Sequence, residues 1–441
     1  MVLPVVPARP SRSGADAAAR VAMVSVHGCP LDMLGSREVG GMQLYVRELS
    51  RELARLGVSV DVFTRKTRPD LPRVVAFGER ARVVHLDAGP QQRIDKNTVV
   101  QHLPAFIENL ERFNEREGIR HQVVHSHYWL SGWVGQRLGE LWRIPHVTMF
   151  HTLGRIKNYA NTHAGGRRGV LETSMRIEIE RRVSRGADAI VASTEAERQS
   201  LVEQYGARAE RIAVMPPGVD LQLFAPVDRG VARAALGLSG EVLLFVGRID
   251  PVKGLDTLLE AIALLRHRPG LQLLVAGGAG AAHAADPDEA HLRGLARKLG
   301  VADRVLWLGP VEQERLPLYY SGADVCVVPS RYESFGLVAL EALACGAALV
   351  ASRVGGLPSI VRDGENGLLV PWRTPAEFAG RIEQLLNDPE LAARLRRAAR
   401  PSMARFSWAA TARRVIGLYD ELSAIGLRLP APPTALTADG W

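Results

Sequence analysis

Cysteine is scarce: Cys29, Cys326 and Cys345 are the only three in 441 residues. They are too few and too scattered for a disulfide frame or a thiolate metal site, and a reducing cytoplasm is the compartment they fit. Long apolar runs are missing as well, since no uninterrupted stretch approaches the roughly 20 residues that span a bilayer. The opening "MVLPVVPARPSRSGADAAAR" lacks the basic start and apolar core of a secretory signal, so a frayed lead-in is expected over residues 1–20. Short tandem repeats are not evident. Neither is a helix-turn-helix, zinc-finger or RNA-binding motif, which sets nucleic acid aside as a partner. Acidic residues are the minority charge, with 47 Asp and Glu against 55 Lys and Arg, a net charge of +8. That sign suits phosphorylated small molecules or an anionic membrane surface, and it also suits plain solubility.

Against these absences stands a regular alternation of apolar runs with amphipathic segments, the pattern of parallel strands joined by helical crossovers. In the first half "VAMVSVHG", "SVDVFTR", "ARVVHLDAG", "QVVHSHY", "PHVTMFHT", "ADAIVAST" and "IAVMPPG" read as strands. A second series follows in "EVLLFVGR", "LQLLVAGG", "RVLWLGP", "ADVCVVPS" and "AALVASR". Proline and glycine cluster between the two series in "MPPGVDLQLFAPVDRG", residues 215–230, where a domain boundary is placed. The chain is too long for one core. The expectation is α/β: a doubly wound domain over 21–222, a second over 223–405, a helix over 406–425 packing back on the first, and a flexible tail over 426–441.

Ligands of such sheets sit where strands give way to helix N-termini. In "FVGRIDPVKGLDTLLEA", Arg248 and Lys253 follow a strand directly, a planar fork and a point charge suited to phosphate oxygens. In "PSRYESFGLVALEALACGAALVAS" a helix is expected to begin near Ser334, leaving the amides of Phe335, Gly336 and Leu337 to face an anion. Glu333 and Glu341 flank that point. One is then placed to accept from sugar hydroxyls and the other to grip a ribose diol, with a diphosphate between them. A solvated Glu341 is the alternative, less comfortable in so apolar a helix.

These pieces resemble the donor-binding half of retaining family-4 glycosyltransferases of the GT-B fold. The matching stretches are "GRIDPVKGLDTLLEA", "LGPVEQERLPLYYSGADVCVVPSRYESFGLVALEALACG" and "VGGLPSIVRDGENGLLV". The resemblance runs from about Val21 to Leu422 and implies two Rossmann-like domains facing across a cleft, with the donor, UDP-glucose by expectation, on the second. It implies front-face attack in which a donor phosphate oxygen takes the acceptor proton. It also implies that the loop carrying Gly40 and Gly41 closes over the donor diphosphate. No cofactor and no metal are expected, because Arg248, Lys253 and helix amides can meet the leaving-group charge. "DPD" at 286–288 is given little weight.

In the first domain "GPQQRIDKNTVVQHLPAF", "HSHYWLSG", "FHTLGRIKN" and "SMRIEIERR" resemble sucrose-phosphate synthases and the inositol-phosphate glycosyltransferases of mycothiol synthesis. Both use phosphorylated acceptors, and their phosphate contacts fall here on Lys96, Tyr128, Thr152, Lys157 and Arg176. "GGMQ" matches neither the "GGQ" of one nor the "GGMN" of the other, so the acceptor stays open between a sugar phosphate and an inositol phosphate. His125, His127 and His151 lie at strand ends without a carboxylate or cysteine to complete a metal set. His127 and His151 are taken to line the sugar pocket. The rival readings are a phosphorylase, a sugar-nucleotide sensor, and a transferase acting on a membrane lipid or polysaccharide precursor through the amphipathic segment Tyr159 to Arg185.

Overall fold

The computed structural model describes residues 19–32, 40–163, 171–278 and 287–422. Two sheets organise them. The first holds β1 (Arg20–Val24), β2 (Ser59–Arg65), β3 (Val74–Ala76), β4 (Ala81–Leu86), β5 (Val123–His127), β6 (His146–Met149), β7 (Ala189–Ala192) and β8 (Ile212–Val214). Their order across the sheet is β3-β4-β2-β1-β5-β6-β7-β8, parallel throughout except for β3. The second holds β9 (Glu241–Val246), β10 (Leu271–Ala276), β11 (Val305–Gly309), β12 (Val325–Val328), β13 (Leu349–Ser352) and β14 (Leu368–Val370). It runs β11-β10-β9-β12-β13-β14 and is wholly parallel.

Strands such as "EVLLFV" and "LVAS" carry almost unbroken aliphatic residues because helices cover both faces of the sheet. In each sheet the winding reverses beside the first strand, between β1 and β5 and between β9 and β12. At such switch points loops diverge and leave a crevice outside the carboxyl ends.

The helix Trp408–Leu422 returns to the first domain. Its Ala412, Val415 and Ile416 join Leu49 and Leu53 in one core. Trp408 stands edge-on to Tyr45 at 5.4 Å, and Tyr419 Oη lies 2.6 Å from His125 Nδ1 in the floor of β5. The expected lead-in and tail lie mostly outside the described residues; Arg20, counted in the lead-in, opens β1 and pairs with Asp61 at 2.9 Å. All three cysteines are buried and free. Among the described residues no helix is long and apolar enough to cross a membrane. Two short strands, β3 and β14, are not among the runs read from the sequence.

Candidate active site

The two crevices meet in a cavity of about 330 Å³. Its second-domain wall begins where β9 ends. Asp250 Oδ1 accepts from Val252 N at 3.0 Å and turns the chain so that Lys253 faces the cavity. Lys253 Nζ donates to Glu333 Oε2 at 2.6 Å, and Arg248 Nη2 stands 3.8 Å from Asp250 Oδ2. After β12 a bent loop leads to Gly336, whose φ of 108° only glycine adopts without strain. The helix therefore spans Leu337–Ala344 and opens three residues later than expected. The delay has a cause: Gly356 N donates to Glu333 O at 3.0 Å and holds the preceding loop out of helical geometry. The first amides without an intrahelical acceptor are thus those of Leu337, Val338 and Ala339, rather than Phe335 and Gly336.

Glu341 lies on the first turns of that helix, buried and not solvated. Tyr320 Oη donates to its Oε2 at 2.9 Å. Burial pushes its carboxyl up to about 7, against the pull of that hydrogen bond. It borders a second cavity of about 220 Å³ with Arg47, Gly218 and Trp408, and Leu337 lines both cavities. Because only part of the chain from Glu333 to Glu341 is helical, the two acids address adjoining cavities rather than one straight ledge.

Across the cleft the helix Gly41–Arg55 points its N-terminus at this wall. Gln43 Oε1 accepts from Gly40 N at 3.0 Å. Gly40 faces Arg248, and Gly41 faces Leu337 so closely that a Cβ there would lie 3.0 Å from Leu337 Cδ1.

The remaining wall gathers cations. Lys96 Nζ lies 2.6 Å and Lys157 Nζ 2.8 Å from the Glu172 carboxylate, and Arg176 Nη1 reaches the same group at 3.0 Å. Arg176 also donates to Tyr128 Oη at 2.8 Å, Thr152 Oγ1 at 3.0 Å and Glu180 Oε1 at 2.7 Å. Burial opposes ionisation of Glu172, but Arg176, Lys157 and Lys96 outweigh it and hold its pKa down to about 2. Lys96, Tyr128, Thr152 and Lys157 line the cavity. Arg176 does not: it is fully buried beneath Tyr128, with Cζ 4.7 Å from the ring centroid. Its length and five donors let it tie four neighbours together from behind, which a position on the wall would not.

His127 is corrected in the same way. It is fully buried and off the cavity wall, with Nδ1 2.9 Å from His151 Nε2, while His151 itself lines the cavity. Burial drives His151 down to about 3, helped by His27, and drives His127 well below its ordinary value. Both rings are neutral near pH 7. Tyr128 and His151, at the ends of β5 and β6, hold φ of 79° and 60°. Non-glycine residues in that region cost roughly 1–3 kcal/mol each, a strain that clusters at functional clefts. Among the described residues no group of three or more His, Cys, Asp or Glu is arranged to hold a metal ion. Asp286 lies outside the described residues.

Comparison with known proteins places this architecture. The model for "Glycosyl transferases group 1" matches residues 231–402, and that for "Glycosyltransferase Family 4" matches residues 39–223. The chain belongs to the family-4 glycosyltransferases. It is 43% identical over 408 residues to the D-inositol 3-phosphate glycosyltransferase of Acidothermus cellulolyticus, covering 91% of this chain and 90% of the relative. It is 44% identical over 434 residues to the enzyme of that name from Geodermatophilus obscurus, covering 96% and 94%. The sucrose-phosphate synthase of Thermosynechococcus elongatus superposes with a TM-score of 0.84 at 36% identity, covering 92% of this chain and 99% of that one. Anabaena HepE in complex with UDP-glucose shares the GT-B fold, with a TM-score of 0.70 at 20% identity over 91% and 100% of the two chains.

As a glycosyltransferase, the chain brings both halves of its motif set to one cleft. Sequence reasoning overlooked Glu172, although an acid four residues before Arg176 was visible in "ETSMR". It also gave no role to Gly355, where a Cβ would fall 1.7 Å from Glu333 O. Tyr332 was missed too; it lines the cavity, and burial raises its hydroxyl to about 12.

Proposed function

We propose that the protein transfers a hexose, glucose by preference, from a nucleotide-diphosphate sugar such as UDP-glucose to a hydroxyl of a small phosphorylated acceptor, retaining anomeric configuration. The observation that carries the acceptor class is the convergence of Lys96, Lys157 and Arg176 on one carboxylate position beside the cavity, opposite Arg248 and Lys253. Three cations about one point, one of them also bonded to the Tyr128 and Thr152 hydroxyls, suit a phosphate dianion. An inositol phosphate is favoured over a sugar phosphate, because the curated relatives above are named for that substrate.

In this reading the donor diphosphate lies against Arg248, Lys253 and the free amides at Leu337, which receive the charge that grows on the leaving group. Glu333 accepts from sugar hydroxyls, and Glu341 holds the ribose from the adjoining cavity. Gly40 and Gly41 let the first domain approach the diphosphate. No side chain in the cleft is assigned as a nucleophile; the donor's own phosphate oxygen takes the acceptor proton during front-face attack. Orientation by the closed domains supplies much of the acceleration. Leaving-group charge is met by protein groups, so no metal is required.

Mass spectrometry of products from a panel of nucleotide sugars and acceptors tests this. The expected result is a hexosylated phosphate product that forms equally well in EDTA. Equal turnover of the dephosphorylated acceptor, or a strict need for a divalent ion, overturns the reading.

A further inference from the structure

Glu172 has no part in the reaction just described, yet it occupies the point on which the cationic wall converges. Its side chain is 3% exposed, and its two oxygens accept from Lys96, Lys157 and Arg176. Burial of a carboxylate is costly unless it is paired, and this one is paired three times. Glu180, bonded to the far side of Arg176, is the other acid of the cluster. Among the described residues three cations thus face two carboxylates, an excess of one positive charge. With Glu172 removed the excess becomes two, the complement of a phosphate dianion.

The backbone around Glu172 is fixed. Its N–H donates to Asn158 Oδ1 at 2.6 Å, and its carbonyl accepts from Asn158 Nδ2 at 3.0 Å. Thr173 next to it caps the helix Ser174–Gly186 through Arg176 N. Freedom is left to the side chain alone, and the chain reaches the surface one residue earlier, where Leu171 is 53% exposed.

We propose that Glu172 fills the acceptor-phosphate subsite as an internal anion until a phosphate dianion displaces it by side-chain rotation, and that this exchange makes the cleft select dianions. The inference rests on the phosphorylated-acceptor reading above. A neutral hydroxyl cannot replace a carboxylate held by three charge-assisted bonds. A monoanionic carboxylate merely substitutes for it without gain. A phosphate brings a second charge and a third oxygen to the same donors. Ordinary acidification does not vacate the position, because the cations keep Glu172 ionised down to about pH 2.

Titration of the full-length protein with inorganic phosphate, by calorimetry at constant ionic strength, tests this. Removing an internal competitor removes its tax on apparent affinity. Glu172→Gln is therefore expected to bind phosphate about tenfold more tightly than wild type. Glu172→Asp, which keeps the charge, should stay near wild type, and Lys157→Ala should weaken binding in either background. Wild-type binding that depends on Lys157 but does not tighten in Glu172→Gln overturns the displacement alone. Absence of any Lys157-dependent phosphate binding overturns the phosphorylated-acceptor reading with it. Should Glu172→Gln fail to fold, wild-type crystals soaked in phosphate decide. Glu172 swung off the three cations supports the proposal; phosphate bound with Glu172 still in place overturns it.

Discussion

Lys253 already holds an anion, the Glu333 carboxylate at 2.6 Å, and in the proposed reaction it turns to a second one, the departing diphosphate. Arg248 supplies the fork beside it. Each side chain lies at a loop on the cavity wall, so truncation should spare the core. Lys253→Ala and Arg248→Ala are each expected to lower kcat by about 10²–10³-fold, the usual cost of losing a donor aimed at developing charge. Melting temperature should hardly move, and near-normal turnover in either variant contradicts the role. Glu341 gives a pH signature. With its carboxyl pushed up to about 7, acidification below that value protonates it and removes an acceptor for the ribose diol. UDP affinity should weaken as pH falls through 7, and Glu341→Gln should flatten that profile. The linked stability runs the other way: a raised carboxyl contributes fully below its ordinary value of 4.5, and the contribution is lost as pH rises through about 7. Denaturation of wild type and Glu341→Gln at pH 5 and 8 checks the sign.

At the scale of elements, β5, β6 and the turn after β1 carry a column of buried and half-buried histidines. His27, His125, His146 and His151 are all driven down from 6.5 to about 3, burial being the main cause in each. A depressed folded value means stability that is whole above pH 6.5 and is lost as pH falls toward 3. The urea midpoint should therefore begin to fall between pH 6.5 and 5. The paired carboxylate Glu172, lowered from 4.5, does not contribute loss until pH is below that range. The raised carboxyls of Glu197 and Glu341 gain stability over the same fall in pH, so the decisive background is the Glu197→Gln, Glu341→Gln double variant, where a midpoint flat from pH 7 to 5 contradicts the neutral histidines. The turn after β13 offers a second test. Gly355 has φ of 50°, and a Cβ there would meet Glu333 O. Gly355→Ala should cost roughly 1–3 kcal/mol by denaturant titration and reduce transfer by shifting the Glu333 loop.

Much at this scale was readable beforehand. The two strand series and the break at 215–230 follow from apolar runs and punctuating Pro and Gly, signals local to the chain. The delayed helix start at Leu337 was hidden because it depends on Gly356, twenty residues beyond Gly336 in sequence but adjacent in space. The resemblance puts Arg176 among the acceptor contacts, and its place at a strand end puts His127 at the sugar pocket. Which side chains reach the cleft and which support it from behind depends on the layer above them, and no spacing records that.

For the whole molecule, the two sheets present their switch points to each other, and contacts already bridge them. Arg47 Nη2 donates to Gln313 Oε1 at 3.0 Å, and Leu337 packs against Gly41. The helix Trp408–Leu422 ties the end of the second domain to the first through Tyr45 and His125. Donor and acceptor walls are thereby set opposite each other by topology, and the chemistry proposed here depends on where the diphosphate sits between them. A crystal structure with UDP soaked into the cleft tests that most directly. The account predicts the diphosphate against Arg248, Lys253 and the first amides of the Leu337–Ala344 helix, with the ribose at Glu341. UDP bound elsewhere, with that corner empty, contradicts it.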